Sequence, residues 1–319
     1  MTLRTLFVMD PLDRINVAGD STYMLMLEAR RRGWPVWFTT PNDLFAKAGR
    51  CFARASRVEV ERGPQPFRVE PAIELDLGDV DVVWMRKDPP FDMEYIFSTY
   101  LLELVPPSTQ VFNRPSSLRD DNEKIITLRY PELIVPTLIT RDIRRAVAFA
   151  QEAPDRIVMK PWDGNGGRGV LVSHKGDANL KSMFELLSAD GKAAIIVQRY
   201  IPEIVLGDKR VILVDGEPIA GMLRVPQPGD HRGNMHAGAI VEPCALSDRD
   251  REICAAIAPH LKAAGHLFVG IDIIGGWLTE INVTSPTGIQ EMNRLYGISL
   301  ESIVTDAVAT RFAALEPQS

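Results

Sequence analysis

Short apolar runs alternate with amphipathic stretches along the first third of the chain. The runs typical of buried strands are Leu6 to Met9, Val36 to Thr40, Asp81 to Met85 and Val111 to Phe112. Helical spacing follows the first run from Ser21 to Arg32, with Asp20 as the predicted N-cap and Gly33 as the predicted stop. This alternation favours a mostly parallel sheet with helices on both faces.

The pattern weakens over residues 50–78, which are rich in Arg, Glu, Pro and Gly, and there we expect a hairpin. A helix is predicted from about Ser117 to Arg129, before Pro131 and Pro136 interrupt the chain. We place the domain boundary near Ser116 to Asp120. Residues 1–119 are therefore expected to form an N-terminal α/β domain, and residues 120–319 a second domain.

The second part has the pattern of an α+β module. Thr140 is the predicted cap of a helix that ends at about Ala153. The predicted strands are Ile157 to Lys160, Val170 to Ser173, Ala194 to Tyr200, Arg210 to Val214 and Pro218 to Arg224. Asp215-Gly216 between the last two is a strong hairpin signal. The polar connection from Pro226 to Ala239 has a length that is usually functional or mobile.

Oxygen-bearing side chains stand among apolar residues in a predicted hairpin near the C-terminus. Strand alternation puts Glu280 and Asn282 on one face. A two-residue turn at Gly275-Gly276 would pair position 272 with 279, whereas a three-residue loop with a bulge brings Asp272 opposite Glu280. Three converging oxygen ligands suit a hard cation such as Mg²⁺, and an ordinary hairpin with solvated polar groups is the alternative.

A lysine at a strand end precedes a glycine-rich loop in the segment from Lys160 to Gly169. Gly164, Gly166 and Gly167 allow backbone N–H groups to approach phosphate oxygens, and Lys160 supplies a point charge. The spacing matches neither the Walker nor the Rossmann motif. Phosphate binding is the favoured interpretation, and a flexible hairpin loop is the alternative.

Further cations lie in the same half of the chain: Lys124, Arg210, Arg224 and Arg232. Any one of them alone is typical of a solvated surface. Combined with an oxygen-ligand metal site and a glycine loop, they provide the groups that phosphoryl transfer requires.

Composition narrows the class of protein. The 319 residues carry a net charge of −6 and a pI near 5.5, which argues against a nucleic-acid partner. The cysteines at 51, 244 and 254 show no Cys-x-x-Cys spacing, which indicates free thiols. We find neither a signal peptide nor an apolar run that approaches a membrane span, so we expect a cytoplasmic protein without a membrane partner.

The chain closely resembles the prokaryotic glutathione synthetases of the ATP-grasp superfamily. The matching stretches include Met85 to Asp92, Ser117 to Asp120 followed by Asn122-Glu123-Lys124, Lys160-Pro161 with Asp163-Gly164, Gly207 to Arg210, Val269 to Gly275 and Leu278 to Thr287. They follow the family order over nearly the whole chain. The resemblance implies an N-terminal pre-ATP-grasp domain, then an ATP-grasp domain with a central lid subdomain at about 125–200 and a C-terminal metal-binding and catalytic part.

The resemblance also implies roles for individual residues. ATP phosphates would contact Lys124 and Lys160, adenine would lie against Gln198, Arg199, Tyr200 and Ile201, and Asp208 would hold the ribose. Asp272, Glu280 and Asn282 would bind two Mg²⁺ ions, with Mn²⁺ as an alternative. The γ-glutamylcysteine and acyl-phosphate groups would be received by Arg86, Arg210, Arg224, Asn282, Val283, Thr284, Ser285, Pro286 and Thr287. Arg210 is the candidate for stabilising charge in the transition state.

The implied reaction joins γ-glutamylcysteine to glycine at the expense of ATP, through an acyl phosphate, in a homo-oligomeric enzyme. Water would hydrolyse that intermediate, so Pro226 to Ala239 is the expected lid. The rivals are another ATP-dependent carboxylate-amine ligase, acting on a peptide tail or on D-alanine, and a nucleotide-binding module without turnover.

Overall fold

The computed structural model of this chain describes residues 1–164, 166–227 and 239–314. Its strands are β1 (Thr5–Val8), β2 (Val36–Thr39), β3 (Leu44–Lys47), β4 (Arg50–Val60), β5 (Phe67–Val69), β6 (Ile73–Asp76), β7 (Val82–Met85), β8 (Gln110–Phe112), β9 (Thr137–Thr140), β10 (Arg156–Pro161), β11 (Leu171–His174), β12 (Ile195–Arg199), β13 (Asp208–Val214), β14 (Glu217–Val225), β15 (Ile240–Pro243), β16 (Phe268–Ile274) and β17 (Trp277–Asn282). Its α-helices are α1 (Ser21–Arg31), α2 (Met93–Leu102), α3 (Pro115–Asp120), α4 (Ile143–Glu152), α5 (Leu180–Leu187), α6 (Asp248–Ala264), α7 (Ile289–Tyr296) and α8 (Leu300–Ala313).

The four predicted N-terminal strands form the parallel centre of the first sheet. β1 lies between β2 and β7, and β8 follows β7, all in parallel register. α1 begins where predicted, because the Asp20 side chain accepts a hydrogen bond from the Tyr23 amide at 2.6 Å. The parallel sheet predicted from the sequence is thus confirmed for these four strands.

Residues 50–78 contain the expected hairpin and extend the sheet further. β4 is eleven residues long, and alternate residues along it are buried. It pairs antiparallel with β2, β3, β5 and β6, so the segment adds an antiparallel flank to the parallel centre.

The continuous helix predicted from Ser117 to Arg129 is wrong. α3 ends at Asp120, and a 3-10 turn begins only at Ile126. The Asn122 side chain accepts hydrogen bonds from the amides of Lys124 and Ile125, both at 3.1 Å, which replaces helical bonding with a local side-chain turn. We call residues 121–125 the linker, and it carries several residues of the candidate site.

A four-stranded antiparallel sheet follows, in the order β11-β10-β12-β9, with α4 and α5 packed against it. The N-cap of α4 is Asp142 rather than the predicted Thr140. Asp142 accepts from the Arg144 amide at 2.8 Å, and the Thr140 hydroxyl accepts from the Asp142 amide. Thr140 therefore stabilises the residue that caps the helix.

The C-terminal sheet is antiparallel, in the order β15-β14-β13-β16-β17. Its predicted Asp215-Gly216 turn is confirmed, with φ of 51° and 77° at the two residues. Two hydrophobic cores contain residues of both this sheet and the N-terminal sheet, whereas the four-stranded sheet has a core of its own. Within the described residues, no helix is long and apolar enough to cross a membrane.

Candidate functional site

The hairpin of β16 and β17 brings the three predicted metal ligands together. Asp272 pairs with Glu280 and Gly270 with Asn282, so the three oxygen-bearing side chains share one face. The three-residue loop expected to produce this register is wrong. Ile274 pairs with Trp277 across a two-residue turn, and the extra residue is a bulge at Thr279, whose hydroxyl donates to the Asp272 carbonyl at 3.0 Å.

Asp272 lies in a buried group of four charged side chains. Arg210 binds its carboxylate through Nε at 2.5 Å and Nη2 at 2.9 Å. Arg224 Nη2 contacts the same carboxylate at 3.0 Å and also donates to Asp208. The four formal charges cancel, which lowers the cost of enclosing them.

The surroundings shift the pKa values of Asp272 and Asp208 in opposite directions. Burial disfavours the charged form of Asp272, but the guanidinium groups of Arg210 and Arg224 outweigh it and hold the Asp272 pKa below its usual range. Burial dominates at Asp208 and raises its pKa to about 7. Asp208 Oδ1 and Arg224 Nε are buried without a hydrogen-bond partner among the described residues, so the group retains polar atoms to satisfy.

Lys124 connects this group to the glycine loop. Its ammonium lies 2.8 Å from Glu280 Oε1 and donates to the carbonyl of Gly164 at 2.5 Å. Burial works against the charged lysine, but the Glu280 carboxylate outweighs it and raises the Lys124 pKa. The linker thereby places a cation between the predicted metal-ligand face and the loop.

Lys160 lies on β10, and no hydrogen bond or ion pair engages its ammonium among the residues that the structure describes. Burial lowers its pKa to about 8, with the nearby Lys124 charge acting in the same direction and Glu280 against it. Gly166 and Gly167 have φ of 59° and 73°, as the predicted phosphate-binding loop requires, while Asn165 between Gly164 and Gly166 lies outside the described residues.

The residues expected to line the nucleotide differ in exposure. Gln198 is buried and donates to the Thr137 hydroxyl at 2.8 Å. Arg199 is exposed on the other face of β12, and Tyr200 packs under the Arg156 guanidinium at 3.9 Å. Ile201 is buried at the end of the strand. The adenine and ribose roles of this segment and of Asp208 remain predictions.

The predicted substrate turn, residues 282–287, and the start of α7 are held by residues from the first 123 positions. Glu123 accepts from the amides of Val283 and Thr284, and Asn113 donates to the Val283 carbonyl at 2.7 Å. Arg86 donates to the Pro286 carbonyl at 2.9 Å, and the Ser21 hydroxyl accepts from the Gly288 and Ile289 amides. The turn therefore lies at the junction of the two halves of the chain.

Several of the predicted substrate residues already make contacts within the chain. Arg86 is buried, with Nε bonded to Thr22 and its guanidinium over the Phe268 ring, so its contacts hold the turn. The amides of Val283 and Thr284 are engaged by Glu123. Ser285 donates from its hydroxyl to the Arg86 carbonyl, and the Thr287 carbonyl lies 3.5 Å from Arg210. Substrate binding by these residues remains a prediction.

Sequence reasoning did not assign roles to Ser21, Asn113 and Glu123. Glu123 had a usable signal, because it adjoins Lys124 in the Asn-Glu-Lys motif. Ser21 and Asn113 had none, since their bonds join residues more than 150 positions apart. Of the predicted lid, residues 228–238, including Arg232, lie outside the described residues.

The overall structure resembles solved ligases of one class. It matches D-cycloserine synthetase DcsG over 97% of this chain and 99% of the other, with a TM-score of 0.67 and 16% identity. It matches the ATP-grasp ligase PsnB over 97% and 99%, with a TM-score of 0.62 and 17% identity. At these identities the likeness concerns the fold alone, which is that of the ATP-grasp ligases.

Sequence comparison identifies the family within that class. Residues 3–119 match the model of the prokaryotic glutathione synthetase N-terminal domain, and residues 123–297 match the ATP-grasp domain of the same family. The glutathione synthetase of Mesorhizobium japonicum is 43% identical over 97% of this chain and 98% of its own. That of Brucella melitensis is 44% identical over 98% and 100%. This chain belongs to the prokaryotic glutathione synthetase family and is an ATP-dependent ligase.

Proposed function

We propose that this enzyme joins γ-glutamylcysteine to glycine with ATP, forming glutathione, ADP and phosphate. The observation that carries the proposal is the convergence of Lys124, Arg210, Asp272, Glu280 and Asn282 at one site. Relatives named glutathione synthetase, matched over nearly their full length, support the choice of substrates.

The reaction is proposed to proceed through an acyl phosphate. The cysteinyl carboxylate attacks the γ-phosphorus of ATP and releases ADP, and the amine of glycine then displaces phosphate and forms the peptide bond. Negative charge spreads over the transferred phosphoryl oxygens, and fixed cations stabilise it without reorganising. Arg210 is the best placed of these cations, because Asp272 binds two of its nitrogens and fixes its orientation.

The donor set at the hairpin fits Mg²⁺. Two carboxylates and one amide offer oxygen ligands only, and Mg²⁺ in nucleotide enzymes is held by one or two carboxylates together with substrate phosphates. Asp272, Glu280 and Asn282 would hold the two proposed ions, and Glu280 is the more available carboxylate because Lys124 is its only ion-pair partner in the described chain. When bound, Mg²⁺ would offset charge on the triphosphate.

Mass analysis of the products tests the reaction. Incubation with γ-glutamylcysteine, glycine and Mg-ATP should give glutathione and ADP in equal amounts. With ¹⁸O in the cysteinyl carboxylate, one labelled oxygen should appear in the released phosphate, because the acyl-phosphate oxygen leaves with phosphorus. Turnover only with D-alanine or a peptide tail would contradict the substrate assignment, and unlabelled phosphate would contradict the intermediate.

The metal assignment has a separate test in Glu280→Gln. We expect turnover to be abolished and Mn²⁺ binding, measured by electron paramagnetic resonance, to weaken strongly, because the change removes one negative charge from the ligand face. Glu217→Gln is the control, since Glu217 pairs with Lys262 at an exposed site away from the hairpin. Near-normal turnover at saturating Mg²⁺ would contradict the role of Glu280.

We also propose a homo-oligomeric, cytoplasmic enzyme. The family resemblance supports the oligomer, and the three free cysteines are consistent with a reducing compartment. Light scattering of the purified chain tests the first point, because a single species at the mass of one 35.5 kDa chain would contradict it.

A further inference from the structure

Glu123 makes an unusual set of contacts for a residue in a linker. Its Oε1 accepts from the Val283 amide at 3.1 Å, the Thr284 amide at 3.1 Å and the Thr284 hydroxyl at 2.7 Å. Its backbone carbonyl also accepts from the Ile281 amide at 2.9 Å. Glu123 thus takes the place of a neighbouring strand along the end of β17.

The chemistry of that oxygen suits the three donors. A neutral carbonyl oxygen has two lone pairs, whereas an ionised carboxylate is a stronger acceptor with about four lone-pair sites over its two oxygens. Burial, together with the charge of Glu280, raises the Glu123 pKa, and the Thr284 hydroxyl and the Lys124 charge act in the opposite direction.

Lys124, the next residue in the chain, contacts a different part of the site. Lys124 contacts Glu280 and the carbonyl of Gly164, while Glu123 contacts the turn. Two consecutive residues of one linker therefore connect the substrate-binding turn, the metal-ligand face and the glycine loop. The separation of their Cα atoms is set by a single peptide unit, whose geometry is nearly rigid.

We infer that Glu123 is a positioning residue: it holds the turn at residues 282–287 in register with Lys124, and so determines the affinity for the carboxylate substrate and the rate of its phosphorylation. It acts through the amides of Val283 and Thr284 rather than on the substrate. The inference rests on the proposed function for the identity of that substrate.

Steady-state kinetics of Glu123→Ala test the inference. Removing the oxygen that accepts from three donors should raise KM for γ-glutamylcysteine by about 10- to 100-fold and lower kcat, while KM for ATP changes by less than about threefold. Glu217→Ala, an exposed site, is the matched control and should leave all three parameters unchanged. A residue needed only for folding would reduce the active fraction and leave both KM values unaltered, which would overturn the inference.

A conservative pair keeps the test decisive if Glu123→Ala does not fold. Glu123→Gln retains an oxygen at the same distance and should restore KM for γ-glutamylcysteine to within about fivefold of wild type. Glu123→Asp withdraws the oxygen by one methylene and should raise that KM about tenfold. The reverse order, with Asp near wild type and Gln impaired, would show that charge rather than position matters.

The kinetic test also separates this inference from the substrate assignment. If the wild-type enzyme consumes ATP only with a different carboxylate substrate, the proposed function fails, and the KM split is then measured with that substrate. A Glu123→Ala variant whose KM values for the true carboxylate and for ATP change equally would overturn the positioning role on its own.

Discussion

At the scale of single residues, the carboxylate of Asp121 binds two histidines at once. Its Oδ2 accepts from His260 Nε2 at 2.8 Å and from His266 Nε2 at 2.9 Å. The His266 side chain is 0% exposed, and its Nδ1 has no partner in the described chain. Protonation of His266 would therefore bury an unpaired N–H group, which is costly.

We predict that this cluster makes stability sensitive to acid. Burial lowers the His266 pKa below its ordinary value of 6.5, even though Asp121 acts in the opposite direction. The folded chain therefore binds fewer protons at this site than the unfolded chain, and the resulting stability is lost as pH falls below about 6.5. The positive charges of Arg114 and His260 also lower the His266 pKa. Arg129 lies 3.9 Å from Asp121.

Thermal melting between pH 7.5 and 5.5 checks the prediction. The melting temperature should fall less steeply with acid in His266→Gln than in wild type. His260→Gln is the matched control, because His260 bonds the same oxygen with a side chain that is 26% exposed. If both variants keep the full wild-type slope, another group is responsible.

Lys160 gives a second pH-dependent prediction, in nucleotide binding. Its pKa of about 8 means that the ammonium loses its charge as pH rises from 7 to 9. A charge-assisted contact to phosphate contributes roughly 1.5 to 3 kcal/mol, so Lys160→Ala should weaken ATP binding about ten- to a hundredfold at pH 7.

Calorimetry with ATP over this pH range tests the role of the lysine. Wild-type affinity should decline above pH 8, whereas Lys160→Arg should show no such decline, because arginine stays charged. Binding of γ-glutamylcysteine serves as the internal control and should change much less. An affinity for ATP that is independent of both pH and the substitution would show that Lys160 does not contact the nucleotide.

At the scale of elements, the linker interrupts the predicted helix, because a local side-chain turn replaces helical hydrogen bonding there. Asn122 accepts from two backbone amides and so helps to set the conformation in which Glu123 contacts Thr284 and Lys124 contacts Glu280. We predict that Asn122→Ala lowers the free energy of unfolding by about 0.5 to 2 kcal/mol, the range for losing a capping side chain.

Asn122→Ala should also raise KM for ATP, since Lys124 loses its fixed direction. Asn122→Asp keeps the acceptor oxygen and should retain wild-type values in both chemical denaturation and kinetics. Equal effects of Ala and Asp would mean that the side-chain turn does not hold the linker.

The same elements show what the pattern of apolar residues can and cannot predict. β1 and β7 were predicted because each is a short apolar run buried along its whole length, and β2 and β8 because each contains a short apolar run that is partly buried. The prediction of a helix over residues 117–129 was wrong because Asn122 and Glu123 form more favourable hydrogen bonds outside a helix than within one. One of their hydrogen-bond partners lies 160 positions away along the chain.

At the scale of the whole molecule, the packing divides the chain into two bodies of unequal size. The four-stranded sheet has its own core, which includes Phe184 and Ile157, whereas the other two sheets share their cores. Sub-global unfolding follows such divisions.

We predict that Phe184→Ala destabilises the four-stranded sheet selectively. The side chain is 2% exposed, and deleting a buried Phe costs about 3 to 5 kcal/mol. Hydrogen exchange should show lost protection at residues 137–199, with β13 and β16 nearly unchanged. Leu186→Ala, on the same helix but 77% exposed, is the control. Uniform loss of protection across the three sheets would mean that the chain unfolds as one unit.

The sequence by itself determined the order of elements, the positions of most strands and the chemistry available to the site. Those features depend on local periodicity and on which side chains are present, and both can be read along the chain. The sharing of one face by Asp272, Glu280 and Asn282 was also predictable, because strand alternation and a shift of one residue leave few alternatives.

Only the tertiary structure decided where that shift occurs and what holds the turn at residues 282–287. The extra residue lies in the strand at Thr279 rather than in the turn, because the Gly-Gly pair closes a two-residue turn and the Thr279 hydroxyl then binds the Asp272 carbonyl. Ser21, Asn113 and Glu123 acquire their roles by satisfying buried polar groups of residues 267–289, far along the chain. Which distant groups lack partners is a property of the folded chain, because it depends on how the sheets pack.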